Sequence, residues 1–567
     1  MQRHPWHRVY DDGVPAALDY EERPLPFFLE RSARDYPDAT ALIFLNRRLT
    51  YRQLAAEVDR FAAALSALGV ERGTRVAIQL PNLPQTVIGF YAVLSLGAIA
   101  VMTNPLYVER EIEHQWRDAD CSVAITADFL FARRIAALRP RLPVRQYVIA
   151  SIPDYLRFPL NLLAPLRLRR ATPPLIASVP ESADVRTMRR LIRRAPPGRP
   201  QVSIDLDDLA VLQYTGGTTG APKAAMLTHR NLSYNVQQLR SWFVKARPGH
   251  EVMLGALPFF HVFGLTVAMN LPVYLAAATV LMPDPRDIRA MIASIARHRV
   301  TLFPGVPAMF NAIVNAPGLE TIDLTSVTSC FSGAAPLPRD LLERFEKLTG
   351  STIVEGYGLT ETSPVTHANP LGGRRKVGSI GVPLPDTDMK VVDLGDASTV
   401  VPSGTEGELL VSGPQVMRGY WKNPEASAAV LADGWLHTGD IVRVDEEGYC
   451  FVVGRKKEMI IAGGYNIYPD EVDAVLVAHP AVQEAATIGV PDPRRGETVK
   501  SFVVLREGKT ASVDELVAYC RRELAAYKVP RAIEFLDELP KSSALKILRR
   551  ELQKKEEAAA AGRLSTR

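Results

Sequence analysis

Between Tyr20 and about Gln201, the hydrophobic positions alternate between a helical period and a strand period. One helical face predicts a helix that ends near Gly69. Its apolar residues are Leu54, Val58, Phe61, Ala62 and Leu65. Short β-branched runs predict buried strands between the helices. They cover residues 75–80, 123–126 and 146–150. Such alternation is typical of an α/β layer structure, and no repeat of fixed period is visible, which excludes a solenoid.

The longest apolar run extends from Val87 to Met102. It is shorter than the ~20 residues that a membrane-spanning helix needs, and it contains Gly89, Ser95 and Gly97. We therefore interpret the run as a buried helix followed by a strand.

A smaller α/β pattern occupies the last part of the chain. Pro469 at a first helical position, followed by two acidic residues, predicts a helix. Strands are predicted at 485–490 and 499–505, and Ser512 with Glu515 predicts a capping box. The Ala-rich, charged tail from Glu556 is expected to fray.

One stretch departs from both periods. Residues 214–229 read YTGGTTGAPKAAMLTH and follow a run from Asp205 that predicts a strand. Glycine lets backbone N–H groups approach phosphate oxygens, threonine hydroxyls add neutral donors, and Lys223 adds a positive charge. Thr228 is predicted to cap a helix that starts near Asn231, which would bring a helix N-terminus close to the same anion.

This stretch is not a Walker A motif. Ala221 and Pro222 separate Gly220 from Lys223, whereas that motif needs Gly-Lys-Ser/Thr in sequence. The alternative interpretation, a solvent loop that happens to be rich in Gly and Thr, fits a string of this length poorly.

Composition narrows the classes of protein that fit. The chain has 567 residues, enough for several folding units of roughly 100–200 residues each. Hydrophobic residues make up 47% and charged residues 23%, which excludes a disordered or fibrous protein. The four cysteines form no CxxC pair, so neither a disulfide framework nor a zinc site is indicated. The N-terminus lacks an apolar signal segment, so we expect a cytoplasmic protein.

The formal charge of +5 fits anionic nucleotides and membrane surfaces without requiring nucleic acid. The most basic stretch extends from Tyr155 to Pro200, where only Glu181 and Asp184 oppose the arginines. These are Arg157, Arg167, Arg169, Arg170, Arg186, Arg189, Arg190, Arg193, Arg194 and Arg199. A solvated surface insertion is the first interpretation, and a patch that rests on anionic lipid is the second. Four prolines argue against one long amphipathic helix here.

Several strings further along hold side chains suited to a nucleotide. Residues 332–336 (SGAAP) and 355–362 (EGYGLTET) each follow a strand-like run, and Tyr357 offers a ring face for stacking. Asp440 ends the string GWLHTGD after a turn. His261 lies among aromatic residues, where a core histidine is the usual interpretation, and Glu361 taken alone would be an ordinary surface residue.

Together these strings resemble those of the adenylate-forming enzymes, the superfamily of acyl-CoA synthetases, luciferases and nonribosomal peptide adenylation domains. Seven strings in the family's order cover about Tyr20 to Leu552. Within the superfamily the chain is most similar to bacterial long-chain fatty acid–CoA ligases. The strings that carry this likeness begin at Asn104, Gly413, Gly463 and Gly496.

The resemblance implies a large N-terminal α/β domain of several subdomains, residues 1–454, that binds AMP and the acyl group. It implies a small mobile α/β domain, residues 455–567, that carries the catalytic lysine and turns about a hinge near Lys457. The implied reaction converts a fatty acid, ATP and coenzyme A, with Mg²⁺, into acyl-CoA, AMP and pyrophosphate through an acyl-AMP. No nucleic acid partner is implied. Peripheral contact with the inner face of the cell membrane and a homodimer are left open.

The resemblance also implies roles for individual residues. Catalysis is assigned to Lys546, His261 and Glu361. The ATP phosphates are assigned to Thr215, Gly216, Gly217, Thr218, Thr219, Gly220 and Lys223, and Mg²⁺ to Thr215 and Glu361. Adenine and ribose are assigned to Gly333, Ala334, Ala335, Glu355, Gly356, Tyr357, Gly358, Thr360, Asp440 and Arg455. A coenzyme A tunnel is assigned to Gly463 and Gly464.

One departure from the family pattern lies beside the catalytic lysine. The family usually has Gly immediately before it, and this chain has Leu545 before Lys546. Leucine cannot readily take the positive φ that glycine permits. Because of Leu545, a catalytically impaired protein that binds acyl groups or nucleotides stays open as an alternative. A second alternative, from the same chemistry, is a ligase that stops at acyl-AMP or passes the acyl group to a carrier-protein thiol.

Overall fold

The computed structural model describes residues 4–215, 222–462, 465–492, 495–542 and 547–564, with side chains through residue 558. The chain divides into two compact units. The large unit comprises Met1–Asp388 and Ser412–Leu436, and the small unit comprises Met389–Val411 and His437–Arg567. The predicted mixed α/β class is confirmed. The predicted division into residues 1–454 and 455–567 describes two domains that move about a hinge. This division stays a prediction.

The strands of the first part of the chain are β1 (Thr40–Phe44), β2 (Arg47–Thr50), β3 (Arg75–Gln79), β4 (Ile99–Met102), β5 (Val123–Ala127), β6 (Gln146–Ala150), β7 (Val185–Thr187), β8 (Leu209–Thr215), β9 (Lys223–Thr228), β10 (Val252–Gly255), β11 (Ala278–Leu281), β12 (Leu302–Gly305), β13 (Ser329–Ser332), β14 (Thr352–Gly358), β15 (Val365–Ala368) and β16 (Val382–Pro383). The later strands are β17 (Asp388–Val392), β18 (Glu406–Ser412), β19 (Leu431–Ala432), β20 (Trp435–Val444), β21 (Cys450–Arg455), β22 (Ile460–Ala462), β23 (Tyr465–Ile467), β24 (Val482–Asp492), β25 (Gly496–Leu505) and β26 (Ala532–Phe535).

The helices are α1 (Pro26–Asp35), α2 (Tyr51–Ala67), α3 (Pro84–Ser95), α4 (Glu109–Asp118), α5 (Asp128–Leu130), α6 (Ala136–Leu138), α7 (Leu160–Arg170), α8 (Met188–Arg194), α9 (His229–Trp242), α10 (Leu271–Tyr274), α11 (Ile288–His298), α12 (Pro307–Val314), α13 (Arg339–Thr349), α14 (Pro424–Ala428), α15 (Pro469–Ala478), α16 (Val513–Glu523) and α17 (Arg549–Leu564).

Two sheets build the large unit. The first has the order β7-β6-β5-β3-β4-β8-β9 and is parallel up to β8, which pairs with β9 in an antiparallel hairpin. The second has the order β16-β15-β14-β13-β12-β10-β11-β1-β2, with parallel strands from β14 to β1. Since parallel strands end at the same edge of a sheet, the residues after β12, β13 and β14 are neighbours.

The prediction that the longest apolar run, Val87 to Met102, forms a buried helix and then a strand is confirmed. The run forms α3 and then β4, and every residue of both elements is buried. No helix in the described part of the chain is both long and apolar enough to cross a bilayer.

All four cysteines, Cys121, Cys330, Cys450 and Cys520, are buried and unpaired as disulfides. Burial raises the pKa of the Cys330 thiol to about 12 and that of Cys520 to about 11. It also raises the pKa of Cys121 and of Cys450.

In the small unit, β17, β18 and β20 lie side by side, and β21 pairs with β20. A second sheet has the order β23-β22-β25-β24, with β26 parallel to β25. The predicted capping box is confirmed, since Ser512 Oγ accepts a hydrogen bond from the Glu515 N–H at the start of α16. The expectation of a frayed tail is wrong over most of its length. The helix α17 continues to Leu564, and Glu556 within it accepts a hydrogen bond from Lys500 Nζ at 2.6 Å.

Candidate functional site

The predicted phosphate loop connects the two strands of a hairpin. Thr215 is the last residue of β8 and Lys223 is the first residue of β9, and the two are paired across the ladder. The Thr215 hydroxyl donates to the Lys223 carbonyl oxygen at 3.3 Å. Gly216, Gly217, Thr218, Thr219 and Gly220 lie outside the described residues. The described geometry therefore holds the two ends of the loop side by side.

The helix that follows is capped as predicted, but its position relative to the loop is not the predicted one. Thr228 Oγ1 accepts from the Asn231 N–H at 3.1 Å, and the Asn231 side chain accepts from the Thr228 N–H at 2.9 Å. Thr228 pairs with Leu209, at the end of the hairpin opposite to Thr215 and Lys223. Because β9 is extended, roughly 15–20 Å separate the two ends. The prediction that this helix N-terminus reaches the same anion is wrong.

One tyrosine, Tyr420, connects Glu361 with the β8–β9 hairpin that carries the predicted phosphate loop. Glu361 lies in the 3₁₀ turn Thr360–Thr362, and its backbone carbonyl accepts from the Met417 N–H at 2.7 Å. The Tyr420 hydroxyl donates to Glu361 Oε1 at 2.7 Å. The Lys223 ammonium lies over the ring of the same tyrosine, 5.2 Å from its centroid. Two predicted site residues from separate strings are thus joined by a residue that the sequence did not single out.

His261 lies in the turn before a π-helical segment, Gly264–Asn270. Its Nδ1 accepts from the Phe263 N–H at 3.2 Å, so the neutral ring carries its proton on Nε2. The residue before it accepts a hydrogen bond from β8, where Gln213 Nε2 donates to the Phe260 carbonyl oxygen at 2.8 Å. His261 is therefore tied to the strand that ends in Thr215.

The two strings assigned to adenine lie on neighbouring parallel strands. Gly333, Ala334 and Ala335 follow β13, and Ser332 pairs with Glu355 of β14. Ala334 has a φ of 70°, a left-handed conformation that is costly for a residue with a side chain. Glu355, Gly356, Tyr357 and Gly358 form the last part of β14 instead of a loop, and the turn starts beyond them, before Thr360. The prediction that each string follows a strand is thus correct for the first string after Ser332, whereas the second string begins within β14.

Close packing within the protein explains why two positions of the second string, 356 and 358, are glycine. A Cβ on Gly356 would overlap the ring of Phe331, and a Cβ on Gly358 would overlap the backbone of Pro364. Glycine is needed at both positions for close approach by the chain itself. The ring of Tyr357 lies edge-on to His367, with 5.9 Å between the centroids.

Glu355 holds the loop after β13 in place. Its carboxylate accepts from the Leu337 N–H at 3.2 Å and from the Gly378 N–H at 2.9 Å. The side chain is buried, and burial raises the pKa of this carboxyl. Sequence reasoning missed this role, because Leu337 and Gly378 carry no side-chain signal for it.

In the small unit, Asp440 and Arg455 are directly opposite each other on β20 and β21. Arg455 Nε lies 2.9 Å from Asp440 Oδ1, and the Asp440 side chain is only 3% exposed against 36% for Arg455. Lys457 is exposed in the turn between β21 and β22, strands of two different sheets. Gly463, Gly464, Leu545 and Lys546 lie outside the described residues.

A further charged cluster in the small unit was not predicted. Arg549, at the start of α17, pairs with Glu458 at 2.8 Å, with Asp473 at 2.6 Å and with Asp470. Glu458 directly follows the predicted pivot Lys457, so the first turn of α17 is anchored beside that turn.

The residues assigned to Mg²⁺ fit that ion by their chemistry. Glu361 and Thr215 offer hard oxygen ligands, and Tyr420 takes only one of the two Glu361 carboxylate oxygens. Within the described ranges, no cluster of three or more His, Cys, Asp or Glu could hold a metal by itself.

The fold and these sites define an enzyme that binds an adenine nucleotide, and comparison with known families agrees. The family model "AMP-binding enzyme" matches residues 29–421, and the model of the family's C-terminal domain matches residues 471–546. The chain belongs to the AMP-binding enzyme family.

Individual relatives are similar over nearly the whole chain. The long-chain-fatty-acid–CoA ligase of Bacillus subtilis (strain 168) is 46% identical, over 97% of this chain and 98% of its own. A feruloyl-CoA synthase from an Amycolatopsis species is 39% identical, over 93% of this chain and 97% of its own. Among solved structures, the anthranilate–CoA ligase AuaEII in complex with anthranoyl-AMP superposes with a TM-score of 0.84 at 29% identity, over 95% of this chain and 98% of its own.

Proposed function

We propose that the protein is a long-chain fatty acid–CoA ligase. The observation that supports this most directly is the 46% identity, end to end, with a ligase of that name. The hairpin at Thr215 and Lys223, with Glu361 joined to it through Tyr420, supplies groups suited to the first half-reaction.

In the first half-reaction, a carboxylate oxygen of the fatty acid attacks the α-phosphorus of ATP. The bond from that phosphorus to the bridging oxygen breaks, and pyrophosphate leaves. Such a displacement needs positioning and charge neutralisation more than proton transfer. Lys223 and Lys546 supply positive charge, and Thr215 to Gly220 supply neutral donors. Bound at Glu361 and Thr215, Mg²⁺ would add charge neutralisation at the phosphates.

In the second half-reaction, the coenzyme A thiolate attacks the acyl carbon, and the bond to AMP breaks. Asp440 and Arg455 hold the ribose, and residues 333–335, residues 355–358 and Thr360 hold adenine. His261 lines the carboxylate pocket. A turn about Lys457 withdraws Lys546 and opens a tunnel at Gly463 and Gly464 for coenzyme A.

The fatty acid substrate also suggests where the protein works. Long acyl chains partition into lipid, and each buried CH₂ contributes about 0.8 kcal/mol to binding in an apolar pocket. We propose a cytoplasmic enzyme that contacts the anionic inner face of the cell membrane without spanning it. A homodimer is compatible with this proposal but nothing in the chain requires it.

The test is release of AMP with and without coenzyme A, over acids from acetate to oleate and including ferulate. We expect coenzyme A-dependent release that is fastest with medium-to-long fatty acids. Release without coenzyme A would favour an acyl-AMP ligase, and acetate or ferulate outperforming palmitate would contradict the proposed substrate class.

Leu545→Gly tests the impaired-binder alternative. An increase in adenylation rate would show that the native leucine hampers Lys546. An unchanged or lower rate in an active enzyme would remove the only support for an impaired binder.

A further inference from the structure

The helix α7 stands on the surface of the large unit with no buried residue. Phe158, just before it, and Leu162 within it are 76% and 63% exposed, the two highest values for a large apolar side chain among the described residues. Leu163 and Leu166 are also more than half exposed. Exposed apolar residues are normal when scattered, but four within nine positions form a patch that marks an interaction surface.

The patch has an apolar end and a cationic end. Leu162, Leu163 and Leu166 share one face, since residues three and four apart are neighbours on a helix. Arg167, Arg169 and Arg170 follow in the last turn. Pro165 does not break the helix, although the prolines of this stretch argued against a long amphipathic one.

The charge around α7 has one sign only. Residues 155–180 contain Arg157, Arg167, Arg169 and Arg170 and no Asp or Glu. None of these four arginines is in an ion pair with another described residue. Elsewhere between Tyr155 and Pro200, several arginines have partners. Arg189 stacks on Tyr155, Arg190 pairs with Glu181, and Arg199 pairs with Glu30 and Asp59.

We propose that Phe158 and α7 form a docking helix for an anionic lipid bilayer, with the leucines in the acyl region and the arginines at the phosphates. This inference rests on the proposed function in its choice of partner, because a long-chain fatty acid is found in lipid. A bilayer offers hydrocarbon and anionic phosphate a few ångströms apart, which matches the two ends of the helix. A second copy of the chain would instead bring like charges together, which disfavours a dimer through this face.

The experiment is co-sedimentation of the full chain with vesicles of phosphatidylglycerol and phosphatidylethanolamine, and with vesicles of phosphatidylcholine, without substrates. We expect Leu162→Ser/Leu163→Ser/Leu166→Ser to weaken binding to anionic vesicles about tenfold or more at any salt concentration. Arg167→Gln/Arg169→Gln/Arg170→Gln should lose about tenfold at ~0.1 M salt and match the wild type at ~1 M. The controls are Val400→Ser, an equally exposed apolar residue, and Arg193→Gln/Arg194→Gln on the exposed side of α8.

Controls that weaken binding as much as the α7 variants, equal binding to both kinds of vesicle, or no binding at all would overturn the docking helix. The same variants are assayed with a short, soluble fatty acid and no vesicles, where their ligase activity should equal that of the wild type. A chain that binds vesicles through α7 but releases no AMP with any acid would leave the docking helix standing and contradict the proposed function.

A second inference comes from Tyr420, which is independent of α7. Its hydroxyl donates to Glu361 and its ring faces the Lys223 ammonium. The tyrosine is itself held, since its N–H donates to Ser427 Oγ at 2.8 Å and its backbone bridges to Ala225 of β9.

We infer that Tyr420 is a positioning residue for both Glu361 and Lys223. The hydroxyl orients the carboxylate by one oxygen, and the ring attracts the ammonium. This inference rests on the proposed roles of Glu361 toward Mg²⁺ and of Lys223 toward phosphate.

Two variants of Tyr420 distinguish the role of its hydroxyl from the role of its ring. The measurement is ATP binding by calorimetry without a fatty acid, so that it does not depend on turnover. Tyr420→Phe should raise the Mg²⁺ concentration for half-maximal ATP binding about tenfold and leave ATP affinity at saturating Mg²⁺ unchanged. Tyr420→Leu should also weaken ATP binding at saturating Mg²⁺ several-fold. Tyr274→Phe, which removes a hydroxyl that donates to Glu21 at 3.0 Å, is the matched control.

Equal behaviour of Tyr420→Phe and Tyr420→Leu at saturating Mg²⁺ would overturn the role of the ring. An unchanged Mg²⁺ dependence in Tyr420→Phe would overturn the role of the hydroxyl. Wild-type protein that binds ATP without any Mg²⁺ dependence would instead contradict the proposed role of Glu361.

Discussion

Glu361 in the large unit and Asp440 in the small unit are both assigned to ATP, yet their partners differ in kind. Glu361 receives a hydrogen bond from a neutral hydroxyl, that of Tyr420, at 2.7 Å. Asp440 is almost fully buried and lies 2.9 Å from the guanidinium of Arg455. A neutral partner orients a carboxylate and leaves its negative charge available to a cation. A cationic partner cancels the charge, which suits a carboxylate that accepts hydrogen bonds from sugar hydroxyls.

The largest expected effect concerns the carboxylate with the neutral partner. Glu361→Gln keeps an oxygen for Tyr420 but removes the charge, and adenylation should fall about a hundredfold or more. Pyrophosphate exchange measures this, with the exposed Glu425→Gln of α14 as control. A rate near that of the wild type would show that this charge is not used.

Substitutions in the Asp440–Arg455 pair of the small unit should mainly lower the free energy of unfolding. Arg455→Met removes the guanidinium that lies beside the buried Asp440 carboxylate and should lower the free energy of unfolding by about 3 kcal/mol, a value at the low end because Arg455 is 36% exposed. Asp440→Asn should cost less, and the double variant should recover part of the loss. Urea unfolding of the three variants checks this. Strictly additive losses would mean that the two side chains are not coupled.

Asp473 is a third kind of carboxylate, because its cationic partner, Arg549, also pairs with two other carboxylates. Arg549 also serves Glu458 and Asp470, and burial raises the pKa of Asp473 to about 6 in spite of Arg549. Between the ordinary Asp pKa of 3.8 and about 6, the folded protein holds a proton on Asp473 that the unfolded chain releases. The stability from this carboxyl is complete below that range and is lost as the pH rises through 6, by about 2–3 kcal/mol.

Asp473→Asn should therefore gain stability relative to the wild type as the pH rises from about 4 to 7. Urea unfolding at several pH values measures the difference between the two proteins. A difference that stays constant with pH would place the pKa of Asp473 near its ordinary value.

The smallest expected effects concern two helix starts. Thr228→Ala and Ser512→Ala each remove a capping side chain and should each cost about 1 kcal/mol. Neither should change the affinity for ATP, since Thr228 lies at the far end of the hairpin from Lys223. Weaker ATP binding in Thr228→Ala alone would mean that the start of α9 adds positive potential at the phosphates.

Local signals predicted the elements well because they lie within a few residues of one another. The face from Leu54 to Leu65 became α2, the β-branched runs became β3, β5 and β6, and the caps at Thr228 and Ser512 formed as expected. The Ala-rich tail was misjudged because α17 packs onto the second sheet of the small unit, where Leu552 of this helix is buried against Ile488 and Phe502. A composition typical of fraying says nothing about such a contact.

Partners far apart along the chain could not be predicted in the same way. Tyr420 and Glu361 are 59 positions apart, and nothing in either string marks the other. The error about the α9 N-terminus came from treating β9 as part of the loop, whereas its six residues pair with β8 and carry the chain away. The roles assigned to Lys546 and to the glycines of the phosphate loop stay predictions.

The buried cysteines have a consequence for an enzyme whose proposed co-substrate is a thiol. A protein thiolate within reach of an acyl adenylate would compete with coenzyme A for the acyl carbon, and it could exchange with coenzyme A disulfides. With all four thiols buried and their pKa values raised, the folded chain keeps its own sulfur out of that chemistry. Consumption of coenzyme A can accordingly be followed with a thiol-reactive dye in the presence of the native protein, with little signal from the protein itself.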